Sequence, residues 1–200
     1  MSSEENIAVV VLAAGGSTRL GRPKQLVEFK GKTLLEHTLK QVFMLGFEHK
    51  ILVLGAKHQE IQEQTDTDGF TVVVNPDWEQ GMASSIKLGL KTALTVKELD
   101  HALFLVSDQP FLEHINLTKL VQAQLTKKPK ATYSKYDDSI GVPAIFNKEA
   151  FPLLMELEGD EGAKKLIYAK EFDYGTETFN KGGFDVDTEE DVRQLKKMEA

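Results

Sequence analysis

The residues best suited to chemistry in this chain lie where an apolar run leads into small residues and then into cations. Positions 9–24 read Val-Val-Val-Leu-Ala-Ala-Gly-Gly-Ser-Thr-Arg-Leu-Gly-Arg-Pro-Lys. The adjacent glycines let the backbone approach a ligand and turn its N–H groups toward an anion. Arg19, Arg22 and Lys24 add positive charge within six positions, in a chain whose formal net charge is −7. This combination predicts a polyphosphate site.

The loop follows neither of the two commonest phosphate-binding patterns. Gly16 and Gly21 have the spacing of a Walker loop, but Arg22 and Pro23 stand where that loop has lysine and a hydroxyl residue. The pattern Gly-x-Gly-x-x-Gly of dinucleotide sites is also missing, because residues 17 and 18 are serine and threonine. Pro23 disfavours a helical conformation of the residue before it, so the segment that leads to Lys24 is predicted to be extended.

A candidate metal ligand, Asp108, directly follows the run Leu-Phe-Leu-Val-Ser and precedes Gln-Pro. Mg2+ prefers one or two carboxylates together with phosphate oxygens. A carboxylate at the end of a buried strand, beside a phosphate cleft, is therefore well suited to hold it. Capping of the strand end is the alternative role for this side chain.

The elements that must position these residues are indicated by short apolar runs, which alternate with segments of helical period. The runs are continuous, as is typical of parallel strands covered on both faces. One helix is predicted to open with a capping box from Thr33 to Glu36 and to close at Gly46, and a last helix, capped at Thr188, reaches about Met198. The predicted strands are 7–12, 50–54, 70–74, 102–106, 131–134 and 142–146, and the other helices are 58–64 and 85–94.

This alternation predicts an α/β fold with a doubly wound, mostly parallel sheet and helices on both faces. Ligands bind beyond the carboxyl ends of the strands in such sheets. The glycine loop, Asn75, Asp108 and Asp187 each follow an apolar run. We therefore expect these residues to converge on one cleft.

Composition limits the domain organisation and the class of partner. With 41% hydrophobic residues, positions 1–200 are expected to form a single domain with a sizeable core. The absence of cysteine excludes disulfides, thiolate metal sites and cysteine nucleophiles. The acidic balance argues against nucleic acid as a partner. The apolar run Ile7–Ala14 is too short for a signal peptide or a membrane span, so a cytoplasmic protein without membrane contact is expected.

Residues 12–24 resemble the L-A-A-G-x-S-x-R-x-G-x-x-K motif of nucleotidyltransferases with a glycosyltransferase-A-like fold. Within that group the chain is most similar to the molybdenum cofactor cytidylyltransferases and their purine-catabolism relatives, in the MobA-like NTP transferase superfamily. The resemblance implies the three-layer α/β fold of nucleotide-diphospho-sugar transferases. The other matching segments, in family order, are 75–85, 107–110, 141–146, 159–163 and 185–188.

The resemblance implies Mg2+-dependent transfer of CMP from CTP to a molybdopterin-type cofactor, with release of pyrophosphate. Lys24 and Arg19 resemble the cations that contact the triphosphate, and together with Asp108 they form the expected catalytic set. The aspartate that matches Asp108 in this family holds the metal. The second ligand is expected to be Asp187, with Asp185 as second choice, because Thr188 is available to cap the helix that follows. A phosphate on the acceptor is mostly dianionic at pH 7, so no general base is required.

The resemblance also implies a nucleotide pocket and an acceptor pocket. Ala14, where guanylyl-transferring relatives commonly have glycine, favours a pyrimidine base. Residues 84 and 85 stand at a predicted helix start, where they either cap the helix or meet a phosphate or the pterin. The acceptor pocket is expected to involve Trp78, Gly81, Met82 and Ser84, although Trp78 and Met82 would equally well pack in the core. The full nucleotide-binding set is Leu12, Ala13, Ala14, Gly15, Gly16, Ser17, Arg19, Lys24, Gly55, Ala56, Asn75, Ser85 and Asp108.

Three other functions remain open at this stage. The first is the cytidylyltransferase that acts on methylerythritol phosphate, although its Gln-Thr-Pro-Gln segment has no counterpart here. The second is a molybdopterin guanylyltransferase, which Ala14 and Gln109 disfavour. The third is a non-catalytic chaperone that delivers cofactor to a molybdoenzyme, for which joint retention of Lys24, Asp108 and Asp187 would be unnecessary. A molybdoenzyme of the xanthine dehydrogenase type is the expected client protein.

Overall fold

The sheet and helices are seen in a computed structural model that describes residues 5–96, 98–137 and 139–198. The α-helices within these ranges are α1 Leu34–Phe43, α2 His58–Gln64, α3 Met82–Ala93, α4 His114–Lys127, α5 Phe151–Glu156 and α6 Glu189–Lys197. The strands among the described residues are β1 Ile7–Ala13, β2 Glu28–Phe29, β3 Lys32–Thr33, β4 His49–Leu54, β5 Thr71–Val74, β6 His101–Val106, β7 Ala131–Tyr136, β8 Ser139–Asn147 and β9 Tyr174–Thr178. None of the helices in these ranges is long and apolar enough to cross a membrane.

Seven strands form the central sheet, in the order β5-β4-β1-β6-β8-β7-β9. β8 pairs antiparallel with β6 and β7, while the other pairings of this sheet are parallel. Strand β1 lies near the middle, where Val10 pairs with Ile51 on one side and with Phe104 on the other. Because β1, β4, β5 and β6 run parallel, their carboxyl ends lie along the same edge of the sheet. The predicted mostly parallel α/β sheet is confirmed.

Apolar side chains pack on both faces of this sheet, which explains why the sequence of β1 is continuously hydrophobic rather than alternating. Val10 faces the layer that contains Ile86 of α3 and Leu154 of α5. Val9 and Val11 face the opposite layer, formed by α1, α2 and α4. Helices on both faces, as predicted, leave the carboxyl edge of the sheet open for loops.

A third apolar cluster lies beside this edge and joins the two ends of the chain. Leu20, Val27 and Phe29 from the segment after the glycine loop pack against Val192 and Leu195 of α6. This contact holds the beginning of α6 next to the segment that carries the loop cations.

The predicted capping boxes are confirmed, but the start of α3 is not where the sequence suggested. Thr33 and Thr188 each accept a hydrogen bond from the backbone N–H three residues later. Helix α3 begins at Met82 rather than at residue 85, because Gly81 occupies the N-cap position. Ser84 and Ser85 thus lie within the first turn, and Ser84 Oγ donates to the Gly81 carbonyl oxygen (2.8 Å) instead of capping the helix.

Candidate active site

A cleft of about 340 Å3 opens at the carboxyl edge of the sheet, between the loop after β1, the first turn of α3 and the end of β6. Most of the predicted site residues border this one cavity, so residues expected for the nucleotide and for the acceptor share it. The predicted residues that line it are Leu12, Ala13, Ala14, Gly15, Gly16, Ser17, Lys24, Trp78, Gly81, Met82, Ser85 and Asp108.

The loop after β1 is held by its own hydrogen bonds. Ser17 has a left-handed backbone (φ 51°), and its hydroxyl accepts a bond from the Lys24 backbone N–H at 3.1 Å. Gln25 is buried, and its amide donates to the carbonyl oxygens of Ala13 (2.7 Å) and Gly15 (3.3 Å). The segment that leads to Lys24 is not extended as expected from the sequence: residues 18–22 form a turn and a bend, because the N–H groups of Leu20 and Gly21 donate to the Ser17 carbonyl oxygen (3.1 and 2.9 Å). A short 3-10 helix begins at Lys24. These bonds fix the loop before any ligand arrives.

The centre of charge is the Lys24 ammonium, which bridges two carboxylates. Its Nζ lies 2.5 Å from Asp108 Oδ2 and 2.8 Å from Asp187 Oδ1. The other Asp187 oxygen accepts a bond from Arg19 at 2.7 Å. Arg22 stays at the surface and pairs with Glu189 at 3.0 Å, so it is not part of this centre.

These groups are far apart in the sequence and meet through backbone and apolar contacts. The Val186 N–H donates to the Asp108 carbonyl oxygen at 3.1 Å, which sets Asp187 beside the end of β6. Val186 is itself buried in the third apolar cluster with Leu20 and Leu195. The segment before α6 therefore brings the second carboxylate to the loop.

The neighbouring charges shift the pKa values of the groups in this centre. Burial would lower the pKa of Lys24, but the Asp108 and Asp187 carboxylates outweigh burial and raise it. For Asp187 burial acts to raise the pKa, and the hydrogen bond and charge of Lys24, with those of Arg19, hold it below its usual range. Asp185 keeps exposed surface, yet partial burial and the nearby charges of Asp108 and Asp187 raise its pKa to about 6.

The donor set fits a divalent cation that is completed by substrate. Asp108 Oδ1 is buried without a hydrogen-bond partner, so one oxygen of this carboxylate is free to accept a ligand. Within the described ranges, no three His, Cys, Asp or Glu side chains converge as a metal site. Two carboxylates without a third are what Mg2+ uses when phosphate oxygens and water supply the rest.

Residues 9–173 match the MobA-like NTP transferase domain family. The chain belongs to this family. A nicotine blue oxidoreductase of Paenarthrobacter nicotinovorans is 31% identical over 195 residues, which cover 93% of this chain and 94% of that protein. The purine catabolism protein PucB of Bacillus subtilis is 27% identical over 94% of this chain and 95% of its own length.

Solved structures agree with this membership of the MobA-like family. The crystal structure of Rv0371c from Mycobacterium tuberculosis superposes with a TM-score of 0.83 at 30% identity, covering 96% of this chain and 98% of that one. The same mycobacterial protein has also been solved in complex with manganese, with a TM-score of 0.80 and coverage of 95% and 97%.

Trp78 lies against the glycine loop of this MobA-like domain. A Cβ added to Gly16 would approach the Trp78 six-membered ring to 2.8 Å, and one added to Gly55 would lie 2.7 Å from the Trp78 Cβ. The indole is half-buried and lines the main cleft. It therefore extends across the loops after β1 and β4, and glycine at both positions makes room for it.

Several predicted residues do not line the cleft but form hydrogen bonds to the segments around it. Asn75 is buried, and its amide donates to the hydroxyls of Ser84 (2.8 Å) and Ser85 (2.9 Å). Asn75 and Ser84 border a different cavity. The Ala56 N–H donates to the Ala14 carbonyl oxygen at 3.0 Å, which ties the Gly55 turn to the glycine loop.

The cleft also contains residues that sequence reasoning missed. Asp160 belongs to a loop that packs against the start of α3. A Cβ added to Gly81 would lie 2.6 Å from Asp160 Oδ1. The Ala83 N–H donates to the Gly159 carbonyl oxygen at 3.0 Å, which docks this loop on the helix. The family resemblance of segment 159–163 was a signal for Asp160. The further lining residues are Thr18, Gln25, Glu79, Val106, Ser107 and Asp160.

Proposed function

We propose that this MobA-like domain is a divalent-metal-dependent nucleotidyltransferase that joins CMP, from CTP, to the phosphate of a molybdopterin-type acceptor. The observation that carries the proposal is the charged centre at the glycine loop. There one ammonium lies between the carboxylates of Asp108 and Asp187, at 2.5 and 2.8 Å. A cation-binding carboxylate pair beside a phosphate loop suits the handling of a metal–triphosphate complex.

Asp108 and Asp187 are the proposed metal ligands, with Asp185 as second choice. The unpartnered Asp108 Oδ1 supports this assignment. The manganese complex of the mycobacterial relative supports a divalent cation, and we propose Mg2+ as the physiological one. When bound, the cation would neutralise charge on the triphosphate.

The residues of the chain then have distinct roles in the reaction. The backbone N–H groups of residues 15–17 receive the triphosphate, and Arg19 and Lys24 stabilise the α-phosphate and the departing pyrophosphate. An oxygen of the acceptor phosphate forms a bond to the α-phosphorus, and the bond from that phosphorus to the bridging oxygen of pyrophosphate breaks. The attacking phosphate is already mostly dianionic at pH 7, so no side chain has to remove a proton.

The base and the acceptor are proposed from fewer observations. Ala14 lies in the loop and narrows the cleft by a methyl group where guanylyl-transferring relatives commonly have glycine, which favours cytosine. Trp78 narrows the same region, because its indole lies over Gly16. The molybdopterin-type acceptor and a client molybdoenzyme of the xanthine dehydrogenase type rest on the family resemblance.

A redox function is the second candidate, because the 31% identical relative is named nicotine blue oxidoreductase. In that case the cleft would bind a reduced nicotinamide dinucleotide, whose hydride would pass to an aromatic acceptor. Such a transfer moves a hydride and a proton and requires no metal, whereas the carboxylates paired around Lys24 suit a metal–triphosphate complex. Nucleotidyl transfer therefore remains the first proposal.

The test compares both reactions in one purified protein. The protein is incubated with each ribonucleoside triphosphate, Mg2+ and molybdopterin, and pyrophosphate release is followed. Oxidation of NADH or NADPH by a quinonoid dye is measured in parallel, and nucleotide binding is followed by fluorescence of Trp78, the one tryptophan of the chain. We expect pyrophosphate release to be faster with CTP than with GTP. The difference in kcat/KM should correspond to about 1–3 kcal/mol, which is what one methyl group in a pocket contributes.

Each of the other results would contradict part of the proposal. A preference for GTP would exclude the cytidylyl assignment. Dinucleotide oxidation without pyrophosphate release would favour the redox function. Nucleotide binding with neither reaction would favour a cofactor chaperone.

A further inference from the structure

The Lys24 ammonium occupies the space where a cation shared by Asp108 and Asp187 would be bound. Its Nζ lies 2.5 Å from one carboxylate oxygen and 2.8 Å from the other. Mg2+ binds carboxylate oxygens at about 2.0–2.1 Å. A metal ion shared by the two carboxylates has to take Asp187 Oδ1 from Lys24, because Arg19 holds the other Asp187 oxygen. Close to the oxygens that Lys24 holds, the ion would overlap the ammonium and be repelled by its charge. The lysine and the metal therefore exclude each other at this position.

We propose that Lys24 is a built-in occupant of the metal position, which holds the two carboxylates together without metal and is displaced when a divalent cation binds. The inference rests on the proposed function in one respect, namely that Asp108 and Asp187 are the metal ligands. It adds a role for Lys24 that is separate from contact with the triphosphate, because the role exists before any nucleotide is present.

The local structure allows the side chain to leave while the loop stays in place. The Lys24 backbone N–H is bonded to Ser17 Oγ at 3.1 Å, and the neighbouring Gln25 is fixed by the carbonyl oxygens of Ala13 and Gly15. The Lys24 side chain itself has four flexible carbons and is 19% exposed at the cleft. Displacement therefore needs only rotations of this side chain, and a triphosphate bound in the same cleft would be its new partner.

This exchange has a consequence that a simple binding role for Lys24 lacks. Without nucleotide, metal can bind only while the lysine is away from the position. The apparent association constant for metal is therefore the intrinsic constant multiplied by the fraction of time that the position is free. Removing its charge should tighten metal binding. The same substitution should weaken binding of CTP, since the triphosphate loses a cation. The two affinities are thus expected to change in opposite directions.

The experiment measures Mn2+ binding to the full chain without nucleotide, by calorimetry or by the loss of the free-ion signal in electron paramagnetic resonance. Lys24→Met keeps the length of the side chain but removes its charge. Arg22→Met is the matched control, because it removes one positive charge from the same loop, at a residue paired with Glu189 outside the centre. Asp108→Asn tests the ligand itself. Thermal unfolding checks that each variant folds, and Lys24→Gln replaces Lys24→Met if the latter does not.

We expect Lys24→Met to bind Mn2+ about 10-fold more tightly than the wild type, as follows if the lysine fills the position about nine-tenths of the time. Arg22→Met should change the affinity much less. Unchanged or weaker Mn2+ binding in Lys24→Met, or equal tightening in Arg22→Met, would overturn the inference while leaving the metal site intact. Mn2+ binding that survives in Asp108→Asn, or that is absent from both the wild type and Lys24→Met, would overturn the metal assignment and the inference together.

Discussion

At the scale of single residues, the candidate site depends on a few polar atoms with defined partners. Asp108 accepts from Lys24 through one oxygen and leaves the other buried without a partner. Asp187 uses both oxygens, one on Lys24 and one on Arg19. The two carboxylates therefore differ in what they can offer a metal, and Asp108 has the free oxygen.

Replacing Asp108 by asparagine should remove most turnover and leave the fold intact. An amide is a poorer ligand for Mg2+ than a carboxylate, and loss of one electrostatic stabiliser lowers kcat by about 10^2-fold or more. Pyrophosphate release at saturating Mg2+ measures the effect, and circular dichroism checks the fold. Near-native release would show that Asp108 is not a metal ligand.

The raised pKa of Asp185 predicts a dependence of stability on pH. Partial burial and neighbouring carboxylates raise the pKa of Asp185 to about 6 in the folded protein, whereas the usual pKa of an aspartate is 3.8. Wild-type stability contributed by this group is present below about pH 4 and is lost as the pH rises through about 6. Asp185→Asn should therefore stabilise the metal-free protein above pH 6, by about 1 kcal/mol given its exposure.

Urea unfolding from pH 4 to pH 8 in the presence of a chelator measures this difference. Asp187→Asn is the matched control with the opposite sign. Its pKa is lowered in the folded protein, so Asp187 contributes stability above the unfolded pKa and loses it in acid. A constant difference between Asp185→Asn and the wild type at every pH would contradict the prediction.

At the scale of elements, the first turn of α3 packs closely against the 159–162 loop at the edge of the cleft. Gly81 has φ 98° and ψ −178°, a conformation that is essentially restricted to glycine. A Cβ there would also lie 2.4 Å from the backbone of Gly159. The contact between the 159–162 loop and α3 thus requires glycine at position 81.

Gly81→Ala should lower the free energy of unfolding by about 3 kcal/mol or more, since backbone strain and overlap add together. Gly46→Ala is the control, because Gly46 also has positive φ (74°) but no atom within 4 Å of the added Cβ. It should cost only about 1–2 kcal/mol. Chemical denaturation of both variants tests the comparison, and equal losses would mean that the loop contact is unimportant.

At the scale of the whole molecule, the site is assembled from the two ends of the chain. Lys24 and Asp187 are separated by 163 residues, yet their side chains are in contact. The third apolar cluster provides the connection, because Leu195 of α6 packs with Leu20 and Val27 beyond the glycine loop. Packing of α6 is therefore expected to affect metal and nucleotide binding as well as stability.

Leu195→Ala and Leu120→Ala separate these two effects. Both leucines are fully buried, and each substitution should cost about 2–5 kcal/mol. Leu120 belongs to the layer around α4, whereas Leu195 supports the segment that holds Asp187. At a temperature where both variants are folded, only Leu195→Ala should weaken Mn2+ and CTP binding severalfold. Equal weakening in both would mean that general loosening of the core is the cause.

The sequence alone determined those features that depend on neighbours a few residues apart. Continuous apolar runs predicted the strands because parallel strands are covered on both faces, and the Thr33 and Thr188 capping boxes set two helix starts correctly. The glycine loop, Lys24 and Asp108 were recognised because their pattern is local. That their roles are catalytic is still a proposal.

Tertiary structure decided the features that depend on contacts between distant segments. It directed Asn75 to the α3 hydroxyls, started α3 at Met82 with Gly81 as its N-cap, and gave Gln25 a buried role in the loop. It also brought Asp187 to Lys24, through the packing of α6 and the backbone bond to Asp108. The physical reason is that side-chain partners are chosen by the packing of whole elements. The periodicity of a single segment contains no information about which distant segment will cover it.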